Sequence, residues 1–506
     1  MCGVTPSMTG GAPALWGRVA ATLLADPPPP ANPYRHGVSL LHGWLPVTIQ
    51  AVAAALLLVA IGWRSRRWRM LWLPLAVLVG VGVAVWAHWY LDSQGVADDP
   101  APPALWIWIG LTGLAIAVVL LGWRRAHWWR RGTSVVAVLL CLLSAGAALN
   151  LWVGYFPTVQ TAWNQLTAGP LPDETNMATV TAMQRNGTVP TKGALVAVTT
   201  PSGASHFKHR TEYVYLPPAW FRSDPPPKLP VVMMIAGEFN TPADWLRTGN
   251  AAKTIDDFQA AHGGNAPVFV FVDTGGSFNN DTECVNGSRG NSADHLTKDV
   301  VPYVNSTFGT SPRAANWGVV GWSMGGTCAV DLTVMHPELF SAFVDVAGDL
   351  APVAGTKQQT IQRLFHGNTA AYDAFDPTTV IETHGTYTGV AGWFAISNSP
   401  QTQFHNANVN SNAVGLGGRD AAGNPGDQTQ AANSLCALGK LNGINCAVVA
   451  TPGKHDWPFA MDTFTSSLPW LAGQLGTPGV PRIPLPATGP VPTGGPPPPV
   501  RAASRK

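Results

Sequence analysis

The 506 residues carry 30 Lys and Arg against 28 Asp and Glu, a net charge of +2, and only 11% of the chain is charged. This balance lacks the basic excess of a nucleic-acid binder, and such sparse charge with a mean hydropathy of +0.11 excludes both an acidic disordered chain and an ordinary cytosolic globule. The length suggests two or three domains, and 13 of the 21 tryptophans fall before residue 156, which sets the first part of the chain apart.

Residues 1–43 form an N-terminal segment whose apolar piece ALWGRVAATLLA (14–25) is broken by Arg18 and lacks a charged lead-in, so no cleavable leader is expected. Four apolar stretches follow, at about 44–63, 70–90, 105–123 and 134–155, each near the roughly 20 residues that span a hydrocarbon core. Tryptophans such as Trp44, Trp63, Trp86, Trp89, Trp106 and Trp152 sit at their ends, as in the aromatic belts of membrane interfaces. Residues 44–155 therefore read as a four-helix transmembrane domain. The first connecting loop holds Arg64, Arg66, Arg67 and Arg69, the third holds Arg124, Arg125, Arg130 and Arg131, and the second, LDSQGVADDP (91–100), has no Lys or Arg. The positive-inside rule then puts both termini and everything after residue 156 outside the cytoplasm. The helix interiors carry no ionisable residue apart from His88 near an end, which argues against a transporter.

Cysteine usage fits that placement. Cys284, Cys328, Cys436 and Cys446 all lie in the external part, where two disulfides with three connectivities are possible; Cys436–Cys446 is the local choice.

After a connector (156–192), residues 193–476 alternate apolar runs with helical patterns. The runs are TEYVYL (211–216), LPVVMMIA (229–236), APVFVFV (266–272), WGVV (317–320), SAFVDVA (341–347), GWFAIS (392–397) and NCAVVA (445–450). Helical spacing covers 245–263, 293–308 and 327–340. Continuous apolar strands alternating with helices predict an α/β fold, a mainly parallel sheet covered on both faces. The stretch 351–390 is expected to form a lid or cap, and the Pro- and Gly-rich tail 477–506 a solvated terminus.

The chemistry concentrates at Gly321-Trp322-Ser323-Met324-Gly325-Gly326, which follows the strand WGVV and opens a helix. A strand–turn–helix of this kind exposes a serine hydroxyl above the sheet edge and aims the next N–H, that of Met324, at a developing oxyanion. Serine needs a base, and the base an orienting acid, in the chain order Ser, acid, His. Of the later histidines, His455 stands directly after the last strand and is the expected base. Between GWFAIS and that strand lie only Asp420 and Asp427. Asp427 directly precedes the last inter-strand helix and is favoured as the acid, with Asp420 as alternative. The second oxyanion donor is expected in Gly237-Glu238-Phe239-Asn240, with the Glu238 N–H first and Phe239 next. His206 and His209, three residues apart near Glu212, lie in a turn rather than on a helix, so neither a metal nor another cofactor is expected. The loop DTGGSFNNDTECVNGSRG (273–290), with Asp281 and Glu283, should flank the site.

Residues YVYLPPAWF (213–221), the G-x-S-M-G-G elbow, LFHGNTAAYDAFDP (364–377) and GKHDWPF (453–459) together resemble the esterase family that contains esterase D and the antigen 85 mycolyltransferases. The resemblance covers roughly residues 190–470. It implies an α/β-hydrolase fold, Ser323 as nucleophile, His455 as base, Met324 and Glu238 as backbone oxyanion donors, and an acid at the position matched by Asp427. Ala236 stands where the mycolyltransferases carry an Asp that contacts trehalose, which argues against trehalose as acceptor. The expectation is a membrane-anchored serine esterase or acyltransferase that uses no cofactor, works beside a lipid bilayer on acyl esters or glycolipids of the envelope, and takes no nucleic acid. The alternative is a non-catalytic module that binds envelope glycan or protein in the same cleft.

Overall fold

The computed structural model describes residues 38–94, 101–397 and 428–487, apart from positions 42, 63, 64, 154, 157, 168–170, 172, 173, 278 and 454. Four long helices come first: α1 (Trp44–Ile61), α2 (Leu73–Gln94), α3 (Pro103–Gly122) and α4 (Trp128–Val153). With the π turn Trp68–Trp72 that precedes α2, they are long and apolar enough to cross a membrane, with mean hydropathy of 2.2–2.4. Their outer faces show Leu58, Leu78, Val85, Ile107, Leu120 and Leu139 exposed, as a lipid-facing surface requires. Where α2 meets α3 the backbones nearly touch: a Cβ on Gly80 would lie 2.5 Å from the Gly110 carbonyl oxygen, and one on Gly113 would lie 3.1 Å from Val83. Small residues let helices approach closely where lipid gives no hydrophobic drive to associate.

The stretch expected to be a connector carries structure of its own: α5 (Val159–Thr167), the edge strand β1 (Glu174–Thr175) and α6 (Met177–Arg185), with β1 paired to the next strand. The main sheet has nine strands in the order β1-β2-β3-β5-β4-β8-β9-β10-β11. They are β2 (Ala194–Val198), β3 (Glu212–Leu216), β4 (Val231–Ile235), β5 (Val268–Val272), β8 (Trp317–Trp322), β9 (Ala342–Val346), β10 (Ala391–Ser397) and β11 (Asn445–Thr451). A two-residue ribbon, β6 (Asn286–Gly287) and β7 (Gly290–Asn291), stands apart from it. All seven runs expected as strands form strands; β2 is an addition, and β3 runs antiparallel to both its neighbours.

Helices cover both faces, so the strands are apolar on both sides. One layer of core holds Met233, Val270, Val319, Cys328 and Phe394; the other holds Met234, Phe271, Val320, Trp245 and Trp470. The helical pattern over 245–263 resolves into α7 (Pro242–Arg247) and α8 (Ala251–Ala261), broken where Asn250 takes a left-handed φ of 49°. The pattern over 293–308 contains a π turn, His295–Val300, before α9 (Val301–Phe308). Behind the elbow runs α10 (Met324–Met335). The stretch 351–390 contains α11 (Lys357–Phe365), α12 (Thr369–Asp373) and α13 (Pro377–His384), and α14 (Gln428–Leu441) and α15 (Trp457–Gln474) flank β11.

Candidate active site

Ser323 stands between β8 and α10 with φ 58° and ψ −122°, a left-handed turn that non-glycine residues rarely adopt. The turn is held from two sides. The Ser323 N–H donates to the Val346 carbonyl of β9 at 2.8 Å, and the Ser323 carbonyl accepts from Gly326 N–H at 2.7 Å. The flanking glycines are sterically required. A Cβ on Gly321 would overlap the Gly325 carbonyl, and one on Gly325 would lie 2.5 Å from the carbonyl oxygen of Ile235 and 2.7 Å from that of Ala236. This is the nucleophile-elbow geometry expected from the motif.

His455 reaches the serine from the loop after β11. Its Nε2 lies 2.9 Å from Ser323 Oγ, although the two are 132 residues apart in sequence. The imidazole rests against the Trp322 indole, with ring centroids 4.3 Å apart. The Ser397 hydroxyl, at the end of β10, donates to the Gly453 carbonyl and ties the histidine loop to the sheet edge. On the far side of the ring, Nδ1 lies 3.3 Å from the Gln428 amide. When Nε2 takes the serine proton, Nδ1 bears hydrogen, so the amide group that suits this place is its oxygen. Asp427, the residue before Gln428, lies outside the described residues, as does Asp420. The helix expected after Asp427 is present as α14 and begins at Gln428.

Met324 is the first residue of α10, so its N–H has no acceptor within the helix. Facing it, the turn 237–240 is closed by a hydrogen bond from Asn240 N–H to the Gly237 carbonyl at 3.2 Å. A Cβ on Gly237 would sit 3.2 Å from the Ser323 Cβ. The backbone that carries Glu238 and Phe239 therefore lies beside the serine, and Phe239 itself has a φ of 65°.

Buried charges support this turn from below. The Arg210 guanidinium donates to Asp273 from Nε at 3.0 Å and Nη2 at 2.6 Å, and Nη2 also donates to the Asn240 carbonyl at 2.9 Å. Glu212, fully buried, accepts from the Asp273 N–H at 2.9 Å, from Thr200 Oγ1, and faces His295 Nε2 at 3.1 Å. His209 stacks on His295 at 4.5 Å. Ligand atoms of His209, Glu212 and His295 lie within 4.8 Å of one another. Both ring nitrogens of His209, however, face main-chain carbonyl oxygens at 2.7 Å, which stand where a metal ion on either nitrogen would have to sit. His206 is exposed and stands outside this trio. The Arg210–Asp273 clamp, Gln428 and the Trp322 contact are supports that sequence reasoning missed. Only Trp322 had a local signal, by lying within the elbow motif.

Two disulfides brace the domain. Cys284–Cys328 ties the loop 273–290 to the elbow helix, and Cys436–Cys446 joins α14 to β11, the pair expected from spacing.

Residues 205–434 match the family model described as "Putative esterase". An uncharacterized protein of Corynebacterium glutamicum is 29% identical over 365 residues, 69% of this chain and 82% of that one. Among solved structures, an S-formylglutathione hydrolase from Agrobacterium tumefaciens is 16% identical, with a TM-score of 0.43 over 57% of this chain and 97% of that one. MPT51 of Mycobacterium tuberculosis is 17% identical, with a TM-score of 0.35 over 55% of this chain and all of that one. The domain behind the four apolar helices thus has an α/β-hydrolase fold, with the serine elbow on a mainly parallel sheet, and its centre is similar to the esterase family.

Proposed function

We propose that the protein is a membrane-anchored serine esterase or acyltransferase whose catalytic domain lies outside the cytoplasm and acts on acyl esters of envelope lipids or glycolipids. The observation that carries this reading is the 2.9 Å approach of His455 Nε2 to Ser323 Oγ across the elbow. Ser323 Oγ attacks the ester carbonyl carbon while Nε2 takes its proton. The N–H groups of Met324 and Glu238 receive the oxyanion, each such donor contributing roughly 3 kcal/mol to the transition state. The tetrahedral intermediate collapses, the C–O bond breaks, and the imidazolium returns its proton to the departing alcohol. Water or a sugar hydroxyl then attacks the acyl-enzyme with His455 as base. Asp427 is the acid assigned to orient the imidazole through Nδ1, next to Gln428.

Three observations support the external placement: the Arg-rich first and third loops, the two disulfides, and the side on which the domain meets the helices. The domain touches the chain at Asp92 and Tyr155, which lie at the ends of α2 and α4 opposite those loops. A fluorophosphonate probe tests the serine. The full chain in detergent is expected to label at Ser323 and to cleave short-chain esters, and Ser323→Ala to lose both; a folded wild-type protein that fails to label overturns the reading.

A further inference from the structure

At the carboxyl end of β5, a cavity of about 320 Å³ is lined by residues that include His206, Lys208, Gly276, Ser277, Asn280 and Arg289. Three of these side chains carry, or can carry, positive charge, and no carboxylate lines the cavity among the described residues. Arg289 is engaged: its Nη1 donates to the Asp281 carbonyl at 2.6 Å and lies 3.8 Å from the Asp281 carboxylate. Lys208 and His206 are exposed, and their side chains make no hydrogen bond or ion pair among the described residues.

The walls are built before any ligand arrives. Gly276, at φ +71°, lies against the Lys208 carbonyl where a Cβ would overlap it, and Gly290, at φ +123°, leaves room for the Phe207 ring. The Asn280 amide donates to the carbonyls of Gly275 at 2.7 Å and Arg289 at 2.9 Å. Asp299 accepts from the N–H groups of Ala204 at 2.9 Å and Ser205 at 3.2 Å, which fixes the segment leading to His206. Little backbone freedom would therefore be lost on binding.

The cavity also opens on the same edge of the sheet as Ser323. β4 lies between β5 and β8, so the carboxyl end of β5, from which the cavity's loop departs, is two strand spacings, roughly 10 Å, from the end of β8 that leads to Ser323. Arg210 marks the boundary, with Nη2 on the Asn240 carbonyl of the oxyanion turn and 3.5 Å from where a Gly275 Cβ would sit. A polar, cationic recess at that distance suits the alcohol portion of an ester rather than an apolar acyl chain.

We propose that this cavity binds a phosphate group carried on the alcohol portion of the substrate, with Lys208, His206 and Arg289 around its oxygens. This substrate class rests on the serine-esterase reading above. A phosphate dianion offers several acceptor oxygens, and charge-assisted bonds to it are stronger than neutral ones.

The test compares 1-octanoylglycerol 3-phosphate with 1-octanoylglycerol on the full chain in detergent. The phosphate ester is expected to show a KM about tenfold lower, a gap that narrows in about 0.5 M salt. Lys208→Glu is expected to raise that KM about tenfold, with kcat little changed and a much smaller effect on the neutral ester. Calorimetric binding of both esters to the Ser323→Ala chain reads the cavity with chemistry removed, and the same preference should appear there and vanish on adding Lys208→Glu. Equal binding of the two esters, or a preference that survives Lys208→Glu, overturns the proposal. Inorganic phosphate that competes while the two esters bind alike identifies a free-phosphate site and equally overturns it. Turnover that persists in Ser323→Ala overturns the serine assignment, and the calorimetry still decides the cavity.

Discussion

Behind Ser323 lie two carboxyl groups that water does not reach. Asp345, on β9, accepts from the Gly348 N–H at 2.7 Å; burial nevertheless pushes its pKa up to about 7, and that hydrogen bond only partly opposes the shift. Asp331, on α10, is driven well above the ordinary carboxyl range by burial and by Asp376 and Asp345 nearby, and neither of its oxygens has a hydrogen-bond partner among the described residues. A raised folded-state value means that the unfolded chain gives up these protons first. The stability is whole below the ordinary carboxyl value of 3.8 and is lost as pH rises through about 7. The melting temperature is therefore expected to fall between about pH 4 and 7, with a total loss of a few kcal/mol, and Asp345→Asn, which keeps the acceptor for Gly348, should flatten the slope. Thermal scans across that range measure it. The proposed triad acid, Asp427, belongs to the same scale. Asp427→Asn is expected to lower kcat by about 10³- to 10⁴-fold, because the imidazole loses its correct tautomer and orientation. Asp420→Asn should remain near wild type, and steady-state kinetics on a short-chain ester distinguishes the two.

Among the elements, the Cys284–Cys328 bridge joins the loop that follows β5 to the helix that begins directly after Ser323, across 44 residues of sequence. A cross-link over that span stabilises by about 2–4 kcal/mol, chiefly by restricting the unfolded chain. The Cys284→Ser/Cys328→Ser double variant should thus melt several degrees lower, with kcat reduced as the elbow helix loses its brace, as calorimetry and ester kinetics would register. Most of these elements were legible from residues 193 to 476. Apolar β-branched runs gave the strands, and Gly321 and Gly325 marked the elbow because no larger residue fits there. What escaped was non-local or weakly patterned. The strand Ala194–Val198 is short and alanine-rich, and alanine has little preference for strands. The break at Asn250 and the π turn at His295–Val300 interrupt sequences whose apolar spacing still reads as continuous helix. The clamp of Arg210 on Asp273 joins residues 63 positions apart and exists only once β3 and β5 pair. His455 was found by its place after the last strand; Gln428 was not, because nothing in an amide side chain announces a neighbouring ring.

The molecule as a whole joins four apolar helices to a hydrolase-type domain, and the join is specific. Arg363, from α11, donates to the Asp92 carbonyl at the end of α2 at 2.6 Å. Tyr155, just past α4, donates its hydroxyl to Asp244 Oδ2 at 2.8 Å. The proposed orientation makes a direct expectation on a Cys2→Ser background: Ser93→Cys should react with a membrane-impermeant maleimide in intact cells, whereas Ser65→Cys should react only after lysis. The opposite pattern would put the domain inside the cell. The same Asp244 oxygen that receives Tyr155 also accepts the Thr241 N–H at 2.6 Å and so fixes the start of α7, the helix that leaves the oxyanion turn. A fragment cut free after residue 156 would consequently be more than an untethered version of the enzyme. It would lack the phenol that shares this carboxylate, and the segment carrying Glu238 would be anchored by one fewer partner than in the intact chain.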